Sequence, residues 1–301
     1  MLPGDILYQV DGETVTGKDL DLVVKENIRG EEGTYVDITV LRGENAEETP
    51  LHVERRSIEV PTVEYQMLEN QVGYIYVTQF DEVTAKQFED AIDDLEDQGM
   101  EKLVIDLRNN PGGVLDTAVE MLAYVLPEDK LDGMLVYTAD KNGEGDRYFC
   151  KDGKIQRESD DGSRDSRYPK EDDHELDVPL AVLVNGNSAS ASEVFTGAVM
   201  DYDAGIVVGT TTFGKGIVQN LIPLGDGTAI KLTTAHYYTP NGFDLHGKGL
   251  EPDVVVELDE ELQKKAVVEL SEDNQLQAAI EAGNRAELLR RKKGERARKP
   301  M

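Results

Sequence analysis

The run KLVIDL at residues 102–107 is nearly all apolar, and a strand of that composition has no face to turn toward water. Such strands are buried on both sides, as in a parallel sheet covered by helices. Before it come VGYIYVTQF, which reads as a strand, and TAKQFEDAIDDLEDQG, where Phe88, Ile92 and Leu95 recur on one helical face. After it come the glycine loop RNNPGG and a second helical pattern, VLDTAVEMLAYVL. Strand, helix, strand, loop and helix make a βαβ unit, so an α/β core is expected. The order returns in PLAVLV, NGNSASASEVFTGAVM and AGIVVG. IVQNLIPL, GTAIKLTTAHYYT and VVVEL read as later strands, and residues 274–289 as a terminal helix. Residues 139–177 are polar and charged and read as a hairpin plus an exposed loop outside the core.

Residues 1–57 have the pattern of a small α+β module. DILYQVDG alternates and ends on a turn, KDLDLVVKENI places Leu20, Val23, Val24, Asn27 and Ile28 at helical spacing, and TYVDITVLRG alternates again. Three elements are too few to close a core alone.

The 301 residues suffice for one large domain or two smaller ones. No run approaches the ~20 apolar residues of a membrane-spanning helix. MLPGDILYQVDG has neither the basic nor the apolar region of a signal peptide. With 61 acidic against 31 basic residues the net charge is −30, which repels nucleic acid and anionic membranes. RRKKGERARK near the C-terminus goes against that trend and reads as a solvated tail. One cysteine, Cys150, builds no intrachain disulfide. His52, His174, His236 and His246 fall in no metal-binding spacing, so no metal is expected.

Three loops follow the ends of apolar strands, where ligands bind in α/β sheets: RNNPGG (108–113), NSASASE (187–193) and TTFGKGIVQ (211–219). Ser190 and Glu193 have the spacing of a capping box, and a serine at a helix N-terminus also lies where an oxyanion would be stabilised. A serine nucleophile needs a base. Lys215 can serve if its pKa falls about three units from ~10.4, which burial supplies. Phe213, Ile217 and Val218 give it apolar neighbours, and Gln219, four residues on, returns to the same face. The alternatives are a structural lysine in a glycine turn, or a phosphate loop, since GTTTFGKG nearly matches G-x-x-x-x-G-K-[ST]. Gly216 replaces the hydroxyl that would hold magnesium, and a strand pattern follows where a helix should.

DLRNNPGG, VNGNSASASEVF, VVGTTTFGKGIVQ, YYTPNG and HGKGLEPDV together resemble the carboxy-terminal processing peptidases, or tail-specific proteases, in order from Leu2 to about Leu258. The resemblance implies a crotonase/ClpP-like βαβ spiral core over 58–260, with 139–177 as an insert, and a C-terminal helix and basic tail over 261–301. It implies an endopeptidase with Ser190 as nucleophile, Lys215 as general base and Gln219 orienting the lysine. Ala191 and Gly113 or Gly112 would supply the oxyanion donors, leaving Ser188 and Ser192 to packing. Residues 1–57 resemble the second half of a PDZ domain, whose groove helix would carry Leu20, Val23 and Val24. The partners implied are proteins or peptides with exposed C-termini, in an extracytoplasmic setting, with no cofactor and with homo-oligomerisation open. On this reading the chain is part of a longer protein. The alternative is a catalytically impaired, peptide-binding fragment of such a protease.

Overall fold

The computed structural model describes residues 1–283 apart from 3, 44, 58–59, 127–132, 152–153, 168–175, 177, 226 and 266–267. Two compact units divide at Val60 and Pro61.

In the first unit, β1 (Ile6–Val10) turns back through β2 (Glu13–Thr14), and the order across the four-stranded sheet is β2-β1-β3-β4, with β3 Tyr35–Arg42 and β4 Glu47–Glu54. Helix α1 (Leu20–Val23) is capped by Asp19, whose carboxylate accepts from the Leu22 N–H at 3.1 Å, and continues as a π-turn over Val24–Ile28. Val10, Val15, Val23, Val36, Ile38 and Val40 form its core. The two strands that the sequence pattern does not reveal, β2 and β4, are what make this core closable. β4 has no apolar alternation to show because every residue of EETPLHVE is half-exposed or exposed, and it carries a proline, which is tolerated at a sheet edge. The helix does not bury all its expected face: Val23 is 3% exposed, Val24 is half-buried and Leu20 is 61% exposed.

The second unit is built on two six-stranded sheets. One runs β16-β13-β12-β7-β6-β5, using β5 (Val63–Leu68), β6 (Val72–Val77), β7 (Lys102–Asp106), β12 (Leu180–Val184), β13 (Ile206–Gly209) and β16 (Val254–Val255). All its pairings are parallel except β5 with β6. Helices α2 (Thr84–Asp97), α3 (Leu115–Val125) and α4 (Ala191–Asp201) supply Phe88, Ile92, Leu122 and Phe195 to the main core beside Ile75, Ile105 and Val182 of the sheet. The short α5 (Glu260–Gln263) and a final helix α6 over 274–283 follow. Leu276, Ala279 and Ala282 of α6 join Val72, Tyr74, Val104, Ala181 and Leu183 in a second cluster. β7 and β12 are thus buried on both faces, as KLVIDL and PLAVLV required.

The other sheet is antiparallel, in the order β11-β10-β9-β8-β15-β14. Its strands are β8 (Met134–Ala139), β9 (Asp146–Lys151), β10 (Lys154–Ser159), β11 (Arg164–Arg167), β14 (Ile217–Pro223) and β15 (Ala229–Tyr238). The polar segment expected to lie outside the core contributes to it. β9 and β10 form the expected hairpin, but Tyr148 and Ile155 enter the main apolar cluster. One buried side chain on alternate positions suffices to anchor a strand, and a charged composition hides that period. VVVEL keeps only two residues in a strand. The end of the expected terminal helix and the basic tail lie outside the described residues. Among the described residues no helix is long and apolar enough to cross a membrane.

Candidate active site

The three loops singled out in the sequence meet at the carboxyl ends of β7, β12 and β13. Two asparagine side chains hold the first pair. Asn109, with φ of 61°, donates its N–H to Asn185 Oδ1 at 3.0 Å, and its own Oδ1 accepts from Asn185 Nδ2 at 3.0 Å and Asn187 Nδ2 at 2.9 Å. Asn110 is buried and bonds at both ends of its amide, to the Val77 carbonyl at 2.8 Å and the Gly112 N–H at 2.9 Å. Its main-chain carbonyl accepts from the Ala189 N–H at 3.0 Å and from Ser192 Oγ at 3.0 Å.

Of the three serines in NSASASE, two are consumed by buried hydrogen bonds. Ser188 Oγ donates to the Leu107 carbonyl at 2.7 Å and Ser192 Oγ to that of Asn110. Ser190 is half-exposed, and its hydroxyl proton has no acceptor among the described residues. It caps α4 with φ 58° and ψ −113°, a backbone conformation that costs a non-glycine residue about 1–3 kcal/mol. The capping box expected from Ser190 and Glu193 is present, with Glu193 Oε2 accepting from the Ser190 N–H at 2.9 Å.

Glu193 does more than close a cap. Its carboxylate is fully buried and takes four donors. Besides Ser190, the Lys215 N–H reaches Oε2 at 2.8 Å, and Thr212 Oγ1 and the Gly214 N–H reach Oε1 at 2.6 and 2.7 Å. A buried carboxylate is tolerated when its lone pairs are filled in this way. One oxygen atom thereby holds the backbones of both Ser190 and Lys215. The sequence marks Glu193 as a capping residue and gives no sign of this second role, since Thr212 and Gly214 lie about twenty residues away.

The glycines of FGKG serve close backbone approach. A Cβ on Gly214 would stand 2.8 Å from the Gly249 nitrogen, and one on Gly216 2.7 Å from that of His246. The lysine turn is therefore seated on the loop HGKG, with the Gly247 N–H donating to the Gly214 carbonyl at 2.9 Å. No helix follows the turn; β14 does, which removes the phosphate-loop reading on structural grounds. Lys215 is half-buried, and its Nζ donates to no acceptor among the described residues. Two of its expected neighbours stand elsewhere. Phe213 is 63% exposed, and the amide of Gln219, itself exposed, reaches Thr233 Oγ1 at 3.4 Å instead of the lysine.

The PGG turn lies against the serine. A Cβ on Gly112 would approach the Ala189 carbonyl oxygen at 2.5 Å and both Ser190 Cβ and the Ala191 nitrogen at 2.8 Å. The Gly112 N–H is already given to Asn110. The main-chain N–H groups of Gly113 and Ala191 have no acceptor among the described residues. Of the two glycines left as alternatives by the sequence, Gly112 lies against Ser190 but has given its N–H to Asn110, whereas the Gly113 N–H has no acceptor among the described residues.

Behind the turn, Arg108 lies between two buried carboxylates. Its Nε and Nη2 engage Asp106 at 2.5–3.0 Å, and Nη2 also reaches Asp273 at 2.7 Å. Tyr74 donates its hydroxyl to Asp106 at 2.8 Å, and burial together with that carboxylate pushes the Tyr74 pKa well above the ordinary phenol value.

A model of peptidase family S41 matches residues 71–256, the stretch that contains all three loops. The chain belongs to peptidase family S41. It is 39% identical over 255 residues to a probable CtpA-like serine protease of Staphylococcus aureus strain COL, an alignment covering 85% of this chain and 46% of that protein. A Staphylococcus haemolyticus protein of the same description is 39% identical over 254 residues, with 84% and 46% covered. The chain thus spans about half the length of the curated relatives it matches. Among solved structures it is similar to a photosystem II D1 C-terminal processing protease, with 30% identity, a TM-score of 0.51, and 84% of this chain and 63% of that one covered. A putative S41 protease from Bacteroides fragilis shares the fold, with a TM-score of 0.57, 16% identity, and 91% and 71% covered. Together with the parallel sheet and its crossover helices, these likenesses bear out the expected α/β class.

Proposed function

We propose that the chain is a serine endopeptidase that cuts protein substrates near exposed C-termini through a Ser190–Lys215 dyad. The observation that carries this is the shared oxygen: Glu193 Oε2 accepts from the main chains of both residues, so the two loops are fixed as one constellation. In the proposed reaction Ser190 Oγ attacks the scissile carbonyl while neutral Lys215 takes the hydroxyl proton. The N–H groups of Ala191 and Gly113 receive the oxyanion, a service worth about 3–4 kcal/mol per donor. Lys215 then returns the proton to the leaving amine, and the acyl group stays on Ser190 as an ester. Water, deprotonated by the same lysine, attacks the ester and frees the enzyme. Gln219 would take up its orienting role when a substrate brings its amide toward Lys215.

The four-stranded first unit supports reading residues 1–57 as the second half of a PDZ-like module. Val23 would then hold the groove helix to its sheet, while Leu20 and half-buried Val24 would be available to a bound peptide. The resemblance supports an extracytoplasmic setting. An unstructured polypeptide with an apolar tail tests the reading. The wild-type chain should cleave it, and Ser190→Ala and Lys215→Ala should each abolish cleavage while keeping the thermal midpoint. Cleavage retained in either variant refutes the dyad, and a folded but inactive wild type supports a peptide-binding fragment instead.

A further inference from the structure

Helix α6 joins the Arg108 cluster through its first residues. Asp273 is its N-cap: Oδ1 accepts from the main-chain N–H groups of Gln275 at 2.9 Å and Leu276 at 3.0 Å. The other oxygen, Oδ2, accepts from Arg108 Nη2 at 2.7 Å. Gln275 adds a second link, with Oε1 on Arg108 Nη1 at 3.0 Å and Nε2 on the Val256 carbonyl at 2.7 Å. Both side chains are buried, with 3% of each residue exposed. Asp106 alone would satisfy the Nε edge of the guanidinium, but two carboxylates and an amide fix the whole plane of the fork.

From Arg108 to the oxyanion turn, the chain is tied at three of the residues between. Asn109 is tied to Asn185 and Asn187, Asn110 to Val77, Ala189, Ser192 and the Gly112 N–H, and Gly113 follows with its N–H given to no acceptor among the described residues. Arg108 is therefore held by the terminal helix, and Asn109 and Asn110, next along the chain, by the serine loop. A shift of Arg108 would be passed through Asn109 and Asn110 to the turn at Gly113, whose neighbours Gly112 and Val114 bond the Phe80 main chain.

We infer that Asp273 is a positioning residue for catalysis: the N-cap of α6, bridged to Arg108, sets the aim of the Gly113 oxyanion donor. This rests on the proposed hydrolytic function. The capping and bridging roles separate by substitution. Asp273→Asn keeps an acceptor for the helix N–H groups, since asparagine caps as well as aspartate, but removes the charge facing Arg108. Asp273→Ser also caps and is too short to reach the guanidinium.

Both variants are assayed for kcat and KM on the unstructured polypeptide, with the thermal midpoint measured alongside. Because the donor acts on the transition state and not on substrate binding, kcat should fall roughly 10- to 100-fold with KM within about twofold. In an Asn110→Ala background, where the lever is already cut, Asp273→Asn should add little further loss. An unchanged kcat in both variants, or a kcat loss that adds fully to that of Asn110→Ala, overturns the inference. A wild-type chain that cleaves nothing refutes the underlying hydrolytic reading instead, so the two failures are distinguishable.

Discussion

At the scale of single residues, the site is held by groups whose cost is visible. Ser190 sits at φ 58° and ψ −113°, a conformation glycine accepts and serine does not. Ser190→Gly is therefore expected to stabilise the fold by about 1 kcal/mol, reduced by glycine's greater freedom in the unfolded chain. That is a rise of roughly 2–4 °C in the thermal midpoint for a unit of this size, alongside complete loss of cleavage. A lower midpoint would mean the strain is not there. Glu193→Gln makes the opposite case. An amide has one acceptor oxygen, so the donors facing its nitrogen lose their partner, at about 1–3 kcal/mol each. Both the midpoint and the cleavage rate should drop, the latter about 100-fold if the two loops separate by an ångström. Gly112→Ala should be worse tolerated than substitution at a solvent-facing glycine such as Gly143. Its Cβ meets the Ala189 oxygen at 2.5 Å, at a φ of +94°, whereas nothing lies within 4 Å of Gly143.

At the scale of elements, the helices and strands follow from periodicity, and the exceptions have physical causes. β7 and β12 are legible as uninterrupted apolar runs, and α2 as apolar residues recurring on one helical face. β9 and β10 are legible as a hairpin but not as part of the core, because Tyr148 and Ile155 are isolated anchors among charged neighbours. In α1 the spacing put Leu20 and Val23 on one face, but only Val23 packs on the sheet. Val23→Ala should accordingly cost about 1–3 kcal/mol in the first unit, whereas Leu20→Ala should stay within about 0.5 kcal/mol. Urea unfolding of both variants decides this. The chemical residues were legible as types, since a serine at a helix start and a lysine in a glycine turn are unusual. Their assembly was not, because the bonds that join them run through Glu193 and Asn110 to partners remote in sequence. Arg108→Met probes the terminal element. It leaves Asp106 and Asp273 buried without their shared cation, at about 3–5 kcal/mol. Urea unfolding of this variant reads the loss, and a midpoint equal to wild type would show that the two carboxylates do not depend on the guanidinium.

At the scale of the whole molecule, two separately cored units share one strongly acidic chain. The first unit's apolar cluster contains no residue of the second, and the converse also holds. Residues 61–301 expressed alone should therefore fold with the same near-ultraviolet circular dichroism as in the full chain, less the first unit's contribution. A net charge of −30 opposes compaction through self-repulsion. Raising ionic strength from about 10 to about 300 mM shortens the screening length severalfold and should raise the thermal midpoint. The chain belongs to peptidase family S41, and the central claim is the chemistry proposed for Ser190 and Lys215. The most direct measurement is covalent labelling by a fluorophosphonate, with the modified peptide identified by mass spectrometry. The account predicts one adduct, on Ser190, formed by the wild-type chain and absent from a folded Lys215→Ala variant. An adduct forming on Ser190 at the same rate without Lys215 would contradict it.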